Sequence, residues 1–277
     1  MSTLLIADVG NTRIKLGRFD QFAGGPSVQN ENSPSLPEPI ASCALPLADC
    51  DNWLDMVREF VGTELPRVVV ASVNAPAAAR FTTVIDQLAA DRGESWQFKL
   101  LTHHQVPLAM HVDEPQRVGI DRLCGALAAD RLRRPERSAI VVDIGTAIKV
   151  DLVTADGAFQ GGAILPGIAM SARALHEQTD LLPFIEMHML DAAPDAVGKN
   201  TRAAMQAGLY WGAVGAIREL IARQRDRLAT PPQVFLTGGA APSLASLLGG
   251  PDYTVRFVPH LVLSGIALAA LHESACG

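Results

Sequence analysis

Two short segments of this chain carry the same arrangement of residues, and the arrangement suits phosphate. Residues 4–18 set Asp8, Gly10, Asn11, Thr12, Arg13 and Lys15 between apolar runs, and residues 139–153 do the same with Asp143, Gly145, Thr146 and Lys149. Each reads as a buried strand, then Asp-x-Gly-(Asn/Thr), then a second strand. The aspartates at 8 and 143 stand 135 positions apart, about half of the 277 residues. That spacing points to a duplicated domain with one hairpin per half. The glycine lets the backbone turn tightly and approach a ligand with no Cβ in the way. The Thr or Asn adds a short polar side chain beside bare N–H groups. A carboxylate beside phosphate repels it, so each Asp must work through a cation or a water. Two such hairpins facing each other across a cleft would grip a nucleotide.

The elements that must hold these hairpins follow from periodicity and punctuation. Leu4–Ala7 and Arg13–Phe19 form the first hairpin, and residues 24–46, with prolines at 26, 34, 37, 39 and 46, read as a variable loop or edge segment. Apolar spacing predicts helices over Asp51–Phe60, Pro76–Ala90 and Asp121–Arg133, with strands at Arg67–Val73 and Gln97–Leu101. The second half opens on a strand at Ser138–Val142 and turns at Gly157–Phe159. Helices are predicted at Pro166–Thr179, Asn200–Arg227 and Ser264–Ser274, and strands at Gln233–Leu236 and Val255–Pro259. Strands followed by helices, twice over, predict an α/β fold. Pro115–Ile120 is the expected seam, giving domains 1–118 and 119–277.

Composition narrows the function classes. The chain is 48% hydrophobic with a net charge of −6 and no basic stripe, which argues against a nucleic-acid partner. Cys43, Cys50, Cys124 and Cys276 lack metal-ligand spacing and read as reduced thiols of a cytoplasmic protein. Asp8 and Arg13 interrupt the first apolar run, so no signal peptide is expected, and no run reaches the ~20 residues of a membrane helix. No two glycines are separated by a single residue, which excludes G-x-G-x-x-G, and Gly198-Lys199-Asn200-Thr201 fails the Walker pattern because residue 193 is Ala and Asn follows the Lys.

With these hairpins, Gly119-Ile120-Asp121-Arg122 at the seam and Thr237-Gly238-Gly239 late in the chain, the sequence resembles the acetate/sugar kinase–Hsp70–actin superfamily, and within it type III pantothenate kinase. Asp8–Lys15 fits the first phosphate motif and Ala71–Asn74 a strand end. Gly119–Arg122 fits G-x-D-R, Asp143–Ala147 fits D-x-G-T-A, Gly161–Gly167 fits G-G-x-I-x-P-G, and Gly198–Thr201 fits G-x-N-T. The resemblance implies two duplicated ribonuclease-H-like (actin-like ATPase) domains with a cleft between them. It also implies a homodimer and ATP-dependent phosphorylation of pantothenate, the first step of coenzyme A synthesis. Kinases for other small hydroxylated substrates and a non-catalytic regulatory paralogue are the rival readings; Asp8, Asp121 and Asp143 together argue against the paralogue. Lys149 and Val112 depart from the family's usual Thr and aromatic residue, and His260 from an acidic one.

The resemblance also distributes roles. ATP would be held by Asp8, Val9, Gly10, Asn11, Thr12, Arg13, Ile14, Lys15, Thr146, Gly238 and Gly239, with Mg²⁺ on the Asp8 side. Asp143 would bind a monovalent cation, K⁺ or NH₄⁺. Gly119, Ile120, Asp121, Arg122 and Thr201 would contact pantothenate, and Asp121 would be the catalytic base. Read alone, Asp121 is either that base or an acid favoured by the helix dipole, and Arg122 either a carboxylate fork or a surface charge. Thr201 is either a substrate contact or a helix cap. Lys15 and Lys149 point either at phosphates or at solvent. The small residues Ala203, Ala204, Ala207, Gly208, Gly212 and Gly215 permit close packing within the chain or across a dimer.

Overall fold

The computed structural model describes residues 3–20, 35–62, 67–93, 95–250 and 252–276, with side chains to 272. The chain forms two compact units: Met1–Leu132 together with His260–Gly277, and Arg133–Pro259.

The first unit contains β1 (Thr3–Val9), β2 (Arg13–Asp20), β3 (Ala41–Pro46), α1 (Trp53–Val61), β4 (Arg67–Ser72), α2 (Ala75–Arg92), β5 (Phe98–Leu100), β6 (Ala109–Met110) and α3 (Ile120–Leu132). Its sheet runs β3-β2-β1-β4-β5. β1 to β3 are antiparallel neighbours, whereas β4 lies parallel to β1 and β5 parallel to β4. The Leu4–Ala7 run of β1 and the Val68–Ala71 run of β4 are apolar throughout because both faces are covered. On one face Leu5, Ala7, Val68 and Val70 pack with Trp53, Val57, Phe81 and Ile85 from α1 and α2. Asn74 starts α2 by accepting the Ala77 N–H at 3.1 Å, and Gly93 ends it in the left-handed region.

The second unit contains β7 (Ala139–Ile144), β8 (Ala147–Val153), β9 (Ala158–Pro166), α4 (Ile168–Glu177), α5 (Thr201–Arg225), β10 (Gln233–Thr237), α6 (Ala241–Leu244) and β11 (Thr254–Phe257). Within it the strand order is β11-β10-β7-β8-β9. The pattern repeats the first unit: an antiparallel β7–β8 hairpin, extended by β9, with β10 parallel to β7 on the other side. Ile140, Val142 and Val150 pack under Tyr210, Val214, Ile217 and Ile221 of α5.

The units divide at Leu132/Arg133 rather than at the expected 118/119. Helix α7 (Leu261–Cys276) returns to the first unit. The reason is close packing on α3: a Cβ on Gly265 would stand 1.9 Å from the Cys124 carbonyl oxygen, so only glycine lets the two helices meet. In the Pro-rich stretch Ala41–Pro46 pairs with β2 as the edge strand of its sheet, which agrees with the edge reading of that segment, while residues 21–34 lie outside the described residues. The turn expected at Gly157–Phe159 leads into β9, a nine-residue strand. Gly161, with φ +80°, sits where the β8–β9 register shifts between Asp151 and Val153. A Cβ on Gly162 would fall 2.2 Å from the Val150 carbonyl oxygen. These glycines serve a bulge and close strand packing. Among the described residues, no helix is long and apolar enough to cross a membrane.

Candidate active site

Within the first unit, β1 delivers Asp8 to the sheet end with 8% exposure. The strand register sets Lys15 directly opposite, with Nζ 3.7 Å from Asp8 Oδ2. Between them the turn is closed by the Gly10 N–H donating to the Arg13 carbonyl at 3.1 Å. Asn11, Thr12 and Arg13 are exposed, as a ligand-binding turn requires. The end of β4 braces it: the Val73 N–H donates to the Val9 carbonyl at 3.1 Å, and Asn74 Nδ2 donates to the Gly10 carbonyl at 3.4 Å. Asn74 thus caps α2 and holds the turn at once.

The first turn of α3 belongs to the same unit. Asp121 Oδ1 accepts the Arg122 N–H at 2.9 Å. Its carboxylate folds back over Gly119, where a Cβ would stand 2.5 Å from Oδ1 and 3.5 Å from Val73 Cγ1. Gly119 therefore leaves the space that Asp121 occupies. One turn on, Cys124 is fully buried. Burial pushes its thiol well above the usual range, and the charges of Asp8 and Asp121 push it further. Val73 joins the two segments: its N–H donates to the Val9 carbonyl at 3.1 Å, and its Cγ1 lies 3.5 Å from the Cβ position of Gly119, which sets Asp8–Lys15 and Gly119–Arg122 at one end of the unit. His260, at the head of α7, is lowered by burial and by the Lys15 charge, with Glu38 opposing.

Within the second unit, Asp143 and Lys149 face each other across β7 and β8. Lys149 Nζ lies 2.6 Å from Asp143 Oδ2, with side-chain exposures of 17% and 13%. Asp143 Oδ1 is buried with no hydrogen-bond partner among the described residues. Thr146 is exposed at the turn, and its carbonyl accepts the Gly167 N–H at 3.0 Å. Two more glycines let backbone close around this hairpin. A Cβ on Gly167 would stand 2.3 Å from the Gly145 oxygen, and one on Gly238, whose φ is +101°, 2.4 Å from the Ile144 oxygen. Gly238 and Gly239 therefore lie against the second hairpin with Asp143, Thr146 and Lys149. Thr201 opens α5, but Asn200 is its cap, accepting the Ala203 N–H at 2.9 Å. Thr201 instead lines a groove of about 830 Å³ with Pro166, Ser171, Gly208, Leu209 and Gly212.

Among the described residues, no three His, Cys, Asp or Glu side chains gather as a metal centre. Magnesium needs none, because it keeps several waters and takes one or two carboxylates besides phosphate. Asp8, at the head of the turn and beyond hydrogen-bond reach of Lys15 at 3.7 Å, fits that part. A dissolved K⁺ or NH₄⁺ at Asp143 fits less well. One carboxylate oxygen is already on an ammonium, and a second unit cation ~4 Å from it would meet repulsion of about 4 kcal/mol at an effective dielectric of ~20. Sequence reasoning did not place Asn74 or Cys124 at the site. The Asn-Ala-Pro start of α2 was the available signal for the first, and nothing local marks the second.

Paired units, each with a sheet led by an Asp-x-Gly hairpin, define the duplicated ribonuclease-H-like fold of the actin-like ATPases. A putative 2-dehydro-3-deoxygalactonokinase from Sinorhizobium meliloti shares the fold with a TM-score of 0.52 and 13% identity over 99% of both chains. The family model for type III pantothenate kinase matches residues 4–223. A type III pantothenate kinase from Rhodopirellula baltica is 36% identical over 245 residues, 88% of this chain and 81% of that one. Another, from Anaeromyxobacter sp. strain K, is 34% identical over 271 residues, 98% of each. This chain belongs to the type III pantothenate kinase family.

Proposed function

We propose that the chain phosphorylates the primary hydroxyl of pantothenate with ATP, the first step of coenzyme A synthesis, and that Asp121 is its base. The observation that carries the reading is that Val73 joins the two acids' segments: its N–H donates to the Val9 carbonyl beside Asp8 at 3.1 Å, and its Cγ1 lies 3.5 Å from the Cβ position of Gly119, over which Asp121 folds, so the acid of a phosphate-binding turn and an acid at a helix start share one end of one unit. In the first unit, the Gly10–Lys15 turn binds phosphate oxygens through N–H groups, Thr12 and the two cations. Asp8 would hold Mg²⁺, which neutralises phosphate charge. In the second unit, Thr146 binds phosphate, and Gly238-Gly239 leaves room for the adenosine. In the first unit Arg122 pairs with the carboxylate of pantothenate; in the second, Thr201 on its groove is a candidate contact for the same substrate. Asp121 orients the hydroxyl and takes its proton late. A weak base suffices, because phosphoryl transfer is loose and rests on positioning and charge. The reading needs one positive charge at Asp143, where the resemblance implies K⁺ or NH₄⁺.

The reading extends to a cytoplasmic homodimer. It is supported by α5, where a Cβ on Gly208, Gly212 or Gly215 would meet nothing within 4 Å, so packing inside the described chain does not require those glycines. The test is ADP release in a coupled assay with and without pantothenate and Mg²⁺. Release that needs both sustains the assignment; release indifferent to pantothenate refutes it.

A further inference from the structure

We infer that Lys149 is this protein's own monovalent cation: its ammonium supplies at Asp143 the charge that a dissolved K⁺ or NH₄⁺ would otherwise supply. The inference rests on the kinase reading and concerns one site within it.

Asp143 ends β7 beside a turn built for phosphate, and a bare carboxylate there would repel the ligand. Some positive charge must sit on it. Lys149 stands directly opposite on β8, so both side chains rise from the same face of the sheet. The contact is 2.6 Å, and both partners are more than four-fifths buried. A short, charge-assisted bond between two stems fixed by a strand ladder differs from a surface ion pair, whose long side chains keep exchanging partners. Chemically, the Lys149 head is an ammonium ion on a tether.

The first hairpin supplies the control. Asp8 and Lys15 occupy the equivalent cross-strand positions, yet their atoms are 3.7 Å apart and the Lys15 side chain is 37% exposed. That pair is longer and, at its lysine, more open to solvent than the second. In the second pair Lys149 neutralises Asp143, and the one remaining oxygen, Oδ1, is buried on the Gly145 side of the carboxylate. A dissolved ion there would have a single carboxylate oxygen to share with an ammonium of like charge.

The test measures turnover, ATP affinity and melting temperature in chloride salts of potassium, ammonium, sodium and choline, for the wild type and for Lys149→Thr. Wild-type values equal in all four salts are expected. Lys149→Thr in choline should lose about tenfold or more in rate and melt lower, because it leaves a buried carboxylate without its partner. Potassium, but not choline, should restore both the rate and the melting temperature, since an ion that binds only the folded state stabilises it. A wild-type rate or ATP affinity that rises with K⁺ overturns the inference, as does a Lys149→Thr variant indifferent to K⁺. Should the variant not fold, the wild-type salt series decides alone. Absence of pantothenate-dependent turnover in every salt overturns the kinase reading instead, and the salt dependence of ATP affinity then still decides the role of Lys149.

Discussion

Replacing Gly119 by Ala should disable the enzyme while leaving its fold nearly intact. The new Cβ would stand 2.5 Å from Asp121 Oδ1, about 1 Å inside ordinary contact. The atom it meets is the end of a side chain, and the next neighbour, Val73 Cγ1, is at a comfortable 3.5 Å. The carboxylate gives way and the backbone stays. Asp121 then loses the Arg122 N–H bond, now 2.9 Å. A hydrogen bond to a charged group contributes about 1.5–3 kcal/mol, and exchanging Gly for Ala returns about 0.4–1 kcal/mol through the unfolded chain. The net loss of about 1–2 kcal/mol should lower the melting temperature by only several degrees. The rate should suffer far more, since a displacement of ~1 Å at a reacting group costs about 10²-fold. The assay is kcat at saturating ATP and pantothenate, beside ATP affinity and calorimetry on the same sample. A variant that keeps wild-type kcat would show that the carboxylate's position over Gly119 is irrelevant to the reaction.

Asp121→Asn should lower kcat by at least ~10²-fold with ATP affinity and melting temperature unchanged; retained turnover would remove Asp121 from the chemistry. Gly238→Ala behaves oppositely to Gly119→Ala, because its Cβ meets the Ile144 backbone at 2.4 Å from a φ of +101°. Thermal melting should show a loss of about 3 kcal/mol or more, and an unshifted melt would contradict the packing. Gly212→Leu should leave the fold intact but halve the mass seen in sedimentation if α5 faces a second copy; an unchanged mass would separate that face from the dimer. His260 is held below its ordinary pKa of 6.5 by burial and Lys15, so the folded chain takes up its proton later than the unfolded one does. Stability is therefore full above pH 6.5 and falls as the pH drops through the folded value. His260→Gln should flatten that slope in pH-dependent melts, and an identical slope would show that other groups set it.

The turns of the candidate site were legible because their residue types are contiguous in sequence. Asp8–Lys15 and Asp143–Thr146 are contiguous segments whose residue types state their own turn geometry, and Gly119–Arg122 and Thr237–Gly239 are equally local. What sequence spacing missed is tertiary. The sequence left Lys149 pointing either at phosphates or at solvent, whereas the cross-strand register pairs it with Asp143. The strand at Ala158–Pro166 was not read from the sequence, because a glycine needed for a bulge and one needed for close strand approach read alike in one dimension. The division of the chain was misplaced because α3 looks like the start of the second half, yet its partner α7 comes from the far end of the sequence.

That partnership sets an order of assembly. α3 ends at 132 and α7 begins at 261, 129 residues later. At roughly 5–20 residues per second of synthesis, the helix carrying Asp121 waits about 6–26 s for the surface that covers Cys124. Arg133–Pro259 is continuous in sequence and can close first, contrary to the usual N-terminal-first order. The unit that carries the proposed base is thus completed only after the other, once α7 has been made.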